Sequence, residues 1–429
     1  MLMKTRFVLI SVLMLTLCSC GKKSDVVELN DWNFGGRPKL IEFLRDRVYA
    51  FEKLHPGIKV TQSSKSWNMI RELLYADFVA GAGPDIMNTH ANFCAEFGEA
   101  GYYYPINAFP DFEQVKQWYV PHLLESTRYK GNYYGLPSSA IAFVLCCNKE
   151  LFDREGIKPP KTWSQFRDAA RRLTKDADGD GVLDQFGLVL MGGDKGGFAY
   201  RTIPFFFKAG VSVMSDDLTR ITFNNERGVE ALTLFADMYQ IDHSITPGFL
   251  AYSHSEINDL FCGNKAAMSI EGPWFRGMVD DKSPGKDMYV VPVPVPDDML
   301  ADYDTAPTLQ DMVMYSINAH SKHLNEAWEL LKFLRNEEAD MFWITQDLGA
   351  TATTSTALTS REAGQVRDLP LYINELNHAR PWPAHPSMIA IASDIFTPYC
   401  QKAVIGELTP QEALDQAAKE AQEIIDEEK

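Results

Sequence analysis

The sequence is poor in cysteine and lacks the cysteine spacings that bind metals. Seven cysteines occur among 429 residues, with no CxxC pair and no Cys/His pair at zinc spacing. Five lie beyond the first twenty residues: Cys94, Cys146, Cys147, Cys262 and Cys400. Because an odd number cannot all pair within one chain, we predict that most are small buried side chains. One disulfide stays open as an alternative.

Long hydrophobic runs are also missing, which argues against a membrane-spanning helix. The nearly unbroken apolar run at 7–17 has eleven residues, whereas a bilayer needs about 20. Lys4 and Arg6 precede it, and a basic start before a short apolar run is typical of an export signal.

The residues after this run predict a lipid anchor. Leu17-Cys18-Ser19-Cys20-Gly21 resembles a bacterial lipobox, which implies cleavage before Cys20 and acylation of its thiol. We therefore expect residues 1–19 to be a lipoprotein signal peptide and the protein to be extracytoplasmic, anchored to the membrane through Cys20. A plain secretory signal is the alternative.

Positive charge is scarce: 41 Lys and Arg stand against 58 Asp and Glu, for a formal net charge of −17. Such an acidic surface repels phosphate backbones, so nucleic acid is not an expected partner. With 45% hydrophobic and 12% aromatic residues the composition is globular, and the length predicts two domains.

Catalytic motifs are absent as well, since there is no nucleophile elbow, no HExxH and no P-loop. A glycosidase would need two carboxylates at a fixed separation, and no pair among the many acids stands out by motif. We therefore predict that the protein is not an enzyme. A secreted carbohydrate-active enzyme and a surface adhesin remain the alternatives.

Apolar periodicity predicts an α/β fold. The chain opens with a strand near 26–29, a helix over 40–54 and a strand at 58–60. A helix over 70–79 and a strand at 85–87 follow, and this alternation favours a largely parallel sheet. Further predicted elements are a strand over 140–147, helices at 149–156, 163–174, 226–240 and 255–262, strands at 265–270 and 312–317, a helix over 325–334, and a final helix capped by Thr409.

Six stretches, in order along the chain, resemble the extracellular solute-binding protein family 1, which includes maltose-binding protein. They are 51–60, 81–86, 134–163 in part, 263–274, 326–334 and 408–414. The resemblance implies a two-lobed periplasmic-binding-protein fold of type II, whose discontinuous lobes are joined by crossing hinge strands near 138–145, 312–320 and 365–375. The expected lobes are 20–139 with 318–370, and 140–312 with 371–429.

The same resemblance implies a function. The chain would be the monomeric substrate-binding component of an ABC importer, which captures a sugar or oligosaccharide between its lobes and delivers it to the membrane permease. The relatives place a stacking Trp after the turn at 271–273, which is Trp274 here, with Glu271 beside it. A cleft aromatic of the maltose-binding relatives matches Tyr200, and Arg201 follows it.

Other candidate ligand contacts come from their positions in the predicted fold. Loops at the carboxyl ends of sheet strands line ligand crevices, and short polar or aromatic side chains there suit a sugar. This applies to Trp32, Asn33, Asn88, His90 and Asn92, and to Ser138 at the first crossing. Arg380 and Trp382 lie in a proline-stiffened loop after the third crossing.

The stretch Thr308-Leu309-Gln310-Asp311 stands where many sugar-binding relatives have a glycine pair. This departure favours an atypical ligand. Arg201 and Arg380 leave an acidic sugar open.

The acidic turn at 176–184 resembles the start of a calcium loop. Asp176, Asp178, Asp180 and Asp184 occupy its positions 1, 3, 5 and 9, but position 12 is Gly187 instead of the bidentate Glu. A structural Ca²⁺ and a solvated turn both remain open, and no other cofactor is expected.

Overall fold

The computed structural model describes residues 26–35, 38–176, 179–194, 196–345 and 351–428. The predicted signal peptide, the predicted lipid site at Cys20 and one predicted calcium ligand, Asp178, lie outside these ranges. Within them, no helix has both the length and the apolar character needed to cross a membrane.

The described residues form twelve β-strands in three sheets. The strands are β1 Val27–Phe34, β2 Ile58–Lys65, β3 Ile86–His90, β4 Arg128–Tyr129, β5 Asn132–Tyr133, β6 Leu136–Ala142, β7 Val144–Asn148, β8 Phe186–Leu188, β9 Ala266–Glu271, β10 Met288–Val291, β11 Leu309–Ile317 and β12 Arg380–Pro381.

Two of these sheets define two lobes. The N-terminal lobe contains the six-stranded sheet, in the order β12-β11-β3-β1-β2, with β6 also paired to β11. The C-terminal lobe contains the four-stranded sheet β10-β7-β9-β8. The predicted parallel arrangement is correct for β1, β2 and β3, but β11 is antiparallel to β3 and β6, and β7 is antiparallel to both of its neighbours. Both sheets are therefore mixed.

Helices cover both sheets, and a π-helix at Ile391–Phe396 joins two of them. The α-helices are α1 Pro38–Leu54, α2 Ile70–Val79, α3 Phe93–Glu99, α4 Phe112–Val115, α5 Pro121–Glu125, α6 Lys149–Arg154, α7 Trp163–Leu173, α8 Gly197–Lys208, α9 Glu226–Gln240, α10 His254–Cys262, α11 Trp274–Lys282, α12 Leu324–Leu334, α13 Glu337–Thr345, α14 Ser355–Leu358, α15 Leu369–His378, α16 Met388–Ala390, α17 Thr397–Val404 and α18 Pro410–Glu427.

The described 3₁₀ turns are Trp67–Met69, Ile106–Ala108, Lys116–Trp118, Phe249–Ala251, Asp297–Asp302 and Ala363–Gln365.

The packing of α7 on β8 shows how local sequence sets the layers. Thr162 caps α7 by accepting the backbone N–H of Gln165, and Phe166 and Leu173 are among the residues it buries at helical spacing. At Gly187 in β8, an added Cβ would lie 2.2 Å from the carbonyl oxygen of Ala170 in α7. The helix can approach the strand only because this residue is glycine, so a carboxylate ligand cannot stand at this position.

The chain passes between the lobes where one strand ends and another begins. The apolar run 140–147, predicted as one strand, is two strands, because β6 ends at Ala142 in the larger sheet and β7 starts at Val144 in the smaller one. The second passage ends at Leu309, where β11 begins, and the third follows Pro381 in β12. The lobe limits given above stay predictions.

All five cysteines beyond residue 20 are free thiols, and Cys262 alone among them is not fully buried. The prediction that most are small buried side chains is confirmed. The described residues contain no disulfide.

Asp31 is a buried carboxylate in the centre of β1. Its Oδ2 accepts hydrogen bonds from Asn33 Nδ2 at 2.8 Å and Gln62 Nε2 at 2.9 Å, while Oδ1 has no partner among the described residues. Burial raises the pKa of Asp31 from 3.8 to about 6, although the two amide donors oppose the shift. The charged form of Asp31 is therefore disfavoured in the folded protein.

This burial predicts a pH dependence that Asp31→Asn should remove. Between pH 4 and 6 the folded state binds more protons than the unfolded one, so the Asp31 contribution to stability falls as pH rises. Raising the pKa from 3.8 to about 6 corresponds to roughly 3 kcal/mol, fully lost above pH 6. Urea unfolding at pH 4 and pH 7 should show wild type losing that much relative to Asp31→Asn. The exposed Asp46→Asn is the control, and equal pH dependence in all three proteins would contradict the prediction.

Candidate functional site

A cavity of about 470 Å³ lies between the two lobes. Its walls come from both sheets and from the strands that join them. The N-terminal lobe contributes the end of β3 and the start of α3, the joining strands β6 and β11 form the floor, and the C-terminal lobe contributes α8, α10 and α11. A volume of this size is typical of small-molecule sites.

Tyr200 in α8 connects the two lobes across this cavity. Its hydroxyl oxygen accepts a hydrogen bond from Asn92 Nδ2 at 2.6 Å, and Asn92 lies at the start of α3 on the opposite lobe. The Tyr200 ring lies 5.5 Å from the rings of Phe143 and Trp382, perpendicular to the latter. Burial raises the pKa of Tyr200 well above 10, so the phenol stays neutral.

Arg201, the next residue, is buried and paired. Its Nη2 lies 2.7 Å from Glu271 Oε2, and the two side chains are 3% and 0% exposed. Glu271 also accepts from Ser269 Oγ at 3.0 Å. Burial raises the pKa of Glu271, and the Arg201 charge opposes that shift. The positive charge of Arg201 is therefore already compensated by Glu271, which lies on the side of Arg201 away from the cavity.

His90, at the end of β3, faces a carboxylate on the floor. Its Nδ1 lies 2.6 Å from Asp311 Oδ2 in β11, which is within ion-pair distance. The ring N–H is not aligned for a hydrogen bond to that oxygen. The other oxygen of Asp311 accepts its neighbour's backbone N–H, from Met312, at 2.8 Å. The Asp311 side chain is 3% exposed and lines the cavity.

Aromatic rings form most of the apolar wall. Trp274, the first residue of α11, lies 5.7 Å from Phe143 and 6.0 Å from His254, perpendicular to both. On the N-terminal lobe, across the cavity from Trp274, the Trp67 ring lies 4.6 Å from the His90 ring. Flat apolar faces on opposite sides of a cavity suit stacking against a ring-shaped ligand.

Eight of the twelve predicted contacts line the cavity: Asn88, His90, Asn92, Ser138, Tyr200, Arg201, Trp274 and Trp382. They differ in whether their polar atoms are available to a ligand. Both polar atoms of Asn88 bind the backbone of Phe34, so Asn88 holds the wall together. Asn92 Oδ1, by contrast, is buried without a partner among the described residues.

The other four predicted contacts do not line the cavity. Trp32 packs against the edge of Phe34 and beneath Lys65 on the N-terminal lobe. Asn33 is buried in the sheet, where it donates to Asp31 and accepts from the Tyr315 hydroxyl.

Glu271 lies behind Arg201, and its burial in a strand of the smaller sheet keeps it from the cavity. Arg380 is exposed on β12, the outermost strand of the larger sheet.

Lining residues that the sequence did not predict include Trp67, Asp194, His254, Asp311 and Trp343. Asp311 carried a signal, because a charged side chain interrupts the apolar strand β11. His254 carried no such signal. It follows Ser253, whose capping box with Glu256 starts α10, and a capping box indicates a helix start but not a binding site. Burial lowers the pKa of His254 to about 3 and raises the pKa of Asp194. His254 is therefore neutral at neutral pH.

Several lining side chains carry buried polar atoms that have no hydrogen-bond partner within the described part of the chain. They include Asn92 Oδ1, Arg201 Nε and Trp343 Nε1. Buried polar groups are almost always satisfied in native proteins, so unpaired ones around a cavity indicate a polar ligand. Both donors and an acceptor are present.

The calcium site stays a prediction because Asp178 lies outside the described residues. In the described part of the turn, the Asp176 carboxylate accepts the backbone N–H of Gly179 at 2.6 Å and Gly181 at 2.7 Å. No group of three or more His, Cys, Asp or Glu side chains in the described ranges is arranged to hold a metal ion.

Residues 37–341 match the family model described as bacterial extracellular solute-binding protein. The galactooligosaccharide-binding protein of Bacillus subtilis is 26% identical over 436 residues, covering 97% of this chain and 95% of the relative. The melibiose/raffinose/stachyose-binding protein of the same organism is 24% identical over 369 residues, covering 80% and 84%.

Solved structures resemble the fold across nearly the whole chain. An ABC transporter solute-binding protein from Thermotoga lettingae, bound with alpha-D-tagatose, superposes with a TM-score of 0.82. The two are 24% identical, and the match covers 93% of this chain and all of the other. At this identity the likeness shows the two-lobed fold alone, which confirms the predicted fold class.

Proposed function

Because the chain belongs to the bacterial extracellular solute-binding protein family, we propose that it captures a sugar or oligosaccharide for an ABC importer. Ligand would bind in the cavity between the lobes, and the membrane permease would receive it from there. The two Bacillus relatives described above carry names of oligosaccharide-binding proteins, which supports this ligand class.

The observation that carries the proposal is the chemistry of the cavity. Trp274, Phe143 and Trp67 offer apolar faces, while Arg201 Nε and Asn92 Oδ1 offer a donor and an acceptor that have no partner among the described residues. Sugars present apolar ring faces and a rim of hydroxyl groups that both donate and accept, so these two features match one ligand. The Asn92–Tyr200 hydrogen bond would hold the lobes together over it.

The location follows from the same family. We propose an extracytoplasmic protein that acts as a monomer and is held at the membrane by lipid on Cys20. Fatty-acid labelling of the wild-type chain, lost in Cys20→Ala, tests the anchor.

Trp274→Ala tests the cavity as the ligand site. Wild type should melt at a higher temperature with one or more members of a panel of mono- and oligosaccharides and polyols, since ligand at 100 times Kd adds about 2.7 kcal/mol. Loss of the Trp274 ring should weaken binding of that sugar by about tenfold or more in calorimetry, because stacking and buried area are both lost. Trp118→Ala, on a 3₁₀ turn away from the cavity, is the control.

The outcomes separate the alternatives. A panel that shifts no melting temperature would overturn sugar capture. Ligand recovered intact after incubation supports a binding protein without catalysis, whereas released product would favour an enzyme. Unchanged affinity in Trp274→Ala with lost stability would make this residue part of the core alone.

A further inference from the structure

The charged side chains that line the cavity are unequal in sign. Within the described ranges two are arginines and four are acids: Arg71, Arg201, Glu72, Asp194, Asp311 and Asp394. His254 is neutral at neutral pH because burial lowers its pKa to about 3. The net charge that a ligand meets in the cavity depends on whether each arginine is already neutralised by a neighbouring carboxylate.

Both arginines are paired with carboxylates that do not line the cavity, and Arg71 Nη1 also lies 3.8 Å from Asp394, which does line it. Arg201 meets Glu271 at 2.7 Å with both side chains buried. Arg71 meets Glu96 through two nitrogens, Nη2 at 2.8 Å and Nε at 3.0 Å from the same carboxylate oxygen, and the Glu96 side chain is 11% exposed. Neither guanidinium therefore offers an uncompensated positive charge to a ligand.

Two of the acids, in contrast, form no ion pair with an arginine or lysine among the described residues, although the Arg201 charge opposes the burial that raises the pKa of Asp194. Asp311 is buried on the floor, and its carboxylate contacts, within the described ranges, are His90 and the backbone N–H of Met312 in its own strand. Asp194 lies just before α8 and makes no hydrogen bond or ion pair with a described side chain. A carboxylate ligand would add a third negative charge to this partly desolvated space, which like-charge repulsion opposes.

The remaining features fit a ligand that donates hydrogen bonds. Hydroxyl and ammonium groups can donate to Asp194, Asp311 and Asn92 Oδ1, the last of which is buried and unpaired among the described residues. Around them stand the faces of Trp67, Trp274 and Tyr200, which accept either a sugar ring or a cation.

We infer that the cavity takes uncharged or amine-bearing sugars and polyols and rejects those that carry a carboxylate. This specificity rests on the proposed capture function and narrows its substrate class. It removes the acidic sugar that Arg201 and Arg380 left open, since the first is neutralised by Glu271 and the second is exposed on β12 away from the cavity.

The test compares three forms of one ligand by calorimetry at neutral pH and low ionic strength. The parent is the neutral sugar or polyol that most raises the melting temperature in a screen containing neutral, amino and uronic sugars. It is then compared with its amino derivative and with the uronic or aldonic acid of the same skeleton. We expect the amine to bind at least as tightly as the parent and the acid about tenfold or more weakly, with the difference shrinking at high salt.

The results distinguish this inference from the proposed function. A screen with no hits overturns sugar capture, and the inference with it. Hits confined to acidic sugars, or an acid that binds as tightly as its neutral parent, overturn the inference and leave sugar capture standing.

A pair of matched variants locates the cause in the charge balance. Glu271→Gln removes the carboxylate behind Arg201, so the preference for parent over acid should shrink by about tenfold. Glu375→Gln removes a carboxylate from another buried pair, with Lys208, whose residues do not line the cavity, and should leave the preference unchanged.

Asp194→Asn provides a second readout if Glu271→Gln folds poorly, and it too should reduce the preference. A preference unchanged in both Glu271→Gln and Asp194→Asn would contradict the assignment.

Discussion

Asp340→Ala is expected to lower the free energy of unfolding by about 3–5 kcal/mol, because it breaks a fully buried ion pair. Asp340 Oδ1 lies 2.8 Å from Arg335 Nη2, and both side chains are 0% exposed. The substitution leaves the Arg335 charge buried without a counterion, and two of its nitrogens, Nε and Nη1, already lack partners among the described residues.

The same carboxylate also anchors backbone. Asp340 Oδ2 accepts the N–H groups of Thr353 and Thr354, each at 2.7 Å. On the other side, Arg335 donates to the carbonyl of Ser138, which lines the cavity from β6. The pair therefore connects α13, the start of the segment after residue 350 and a strand of the cavity floor.

Urea unfolding of wild type and Asp340→Ala, followed by far-UV circular dichroism, measures this loss. Asp168→Ala is the control, since it removes an exposed pair with Arg171 whose side chains are 50% and 54% exposed. Such surface pairs contribute about 0–1 kcal/mol. A loss in Asp340→Ala no larger than in Asp168→Ala would show that the buried pair does not stabilise the lobe.

Elements whose signals are local could be predicted from the sequence. The predicted helices over 70–79 and 226–240 have the observed bounds of α2 and α9. The predicted cap of the last helix is a capping box between Thr409 and Glu412. In each case the apolar period and the first turn lie within a few residues of one another, so no distant contact is needed to specify them.

Elements that depend on distant packing could not be predicted. The helix α8 was missed because Pro204 lies inside it and eleven of its twelve residues are buried, which leaves no polar face to reveal a period. The run 140–147 was taken as one strand because nothing in its apolar letters marks Phe143 as the point where the chain changes sheets.

The candidate site shows the same division. His90 at the end of β3 and Asn92 just after it were predicted because strand ends meet at one edge of a sheet, and both line the cavity. The sequence placed Trp32 at the end of β1, but the strand continues to Phe34, and Phe34 lines the cavity whereas Trp32 does not. Arg380 depended on the position of the third crossing, which lies after Pro381.

Arg201→Met should lower the free energy of unfolding by about 3–5 kcal/mol, whereas the double substitution Arg201→Met with Glu271→Met should recover most of it. The single change leaves Glu271 buried at 0% exposure without its cationic partner, while Ser269 Oγ still donates to it at 3.0 Å. Replacing both partners by apolar groups of similar size removes the unpaired charge, and such replacements of buried pairs are often neutral.

Ligand affinity should follow a different pattern, because Arg201 also lines the cavity and its Nε has no hydrogen-bond partner in the described part of the chain. A hydrogen bond from a charged donor contributes about 1.5–3 kcal/mol, so both the single and the double variant should bind the parent sugar about 10- to 100-fold more weakly. Recovered stability without recovered affinity would identify Arg201 as a ligand contact whose position depends on Glu271.

The pair Lys208 and Glu375 is the matched control for this experiment. It is equally buried, with side chains 0% and 2% exposed and Nζ 3.0 Å from Oε2, but neither residue lines the cavity. Lys208→Met should destabilise the protein and Lys208→Met with Glu375→Met should recover stability, with wild-type affinity in the double variant. If the Arg201 and Glu271 double variant also binds sugar like wild type, Arg201 stabilises the wall without contacting ligand, and the unpaired Nε is not a donor to the bound sugar.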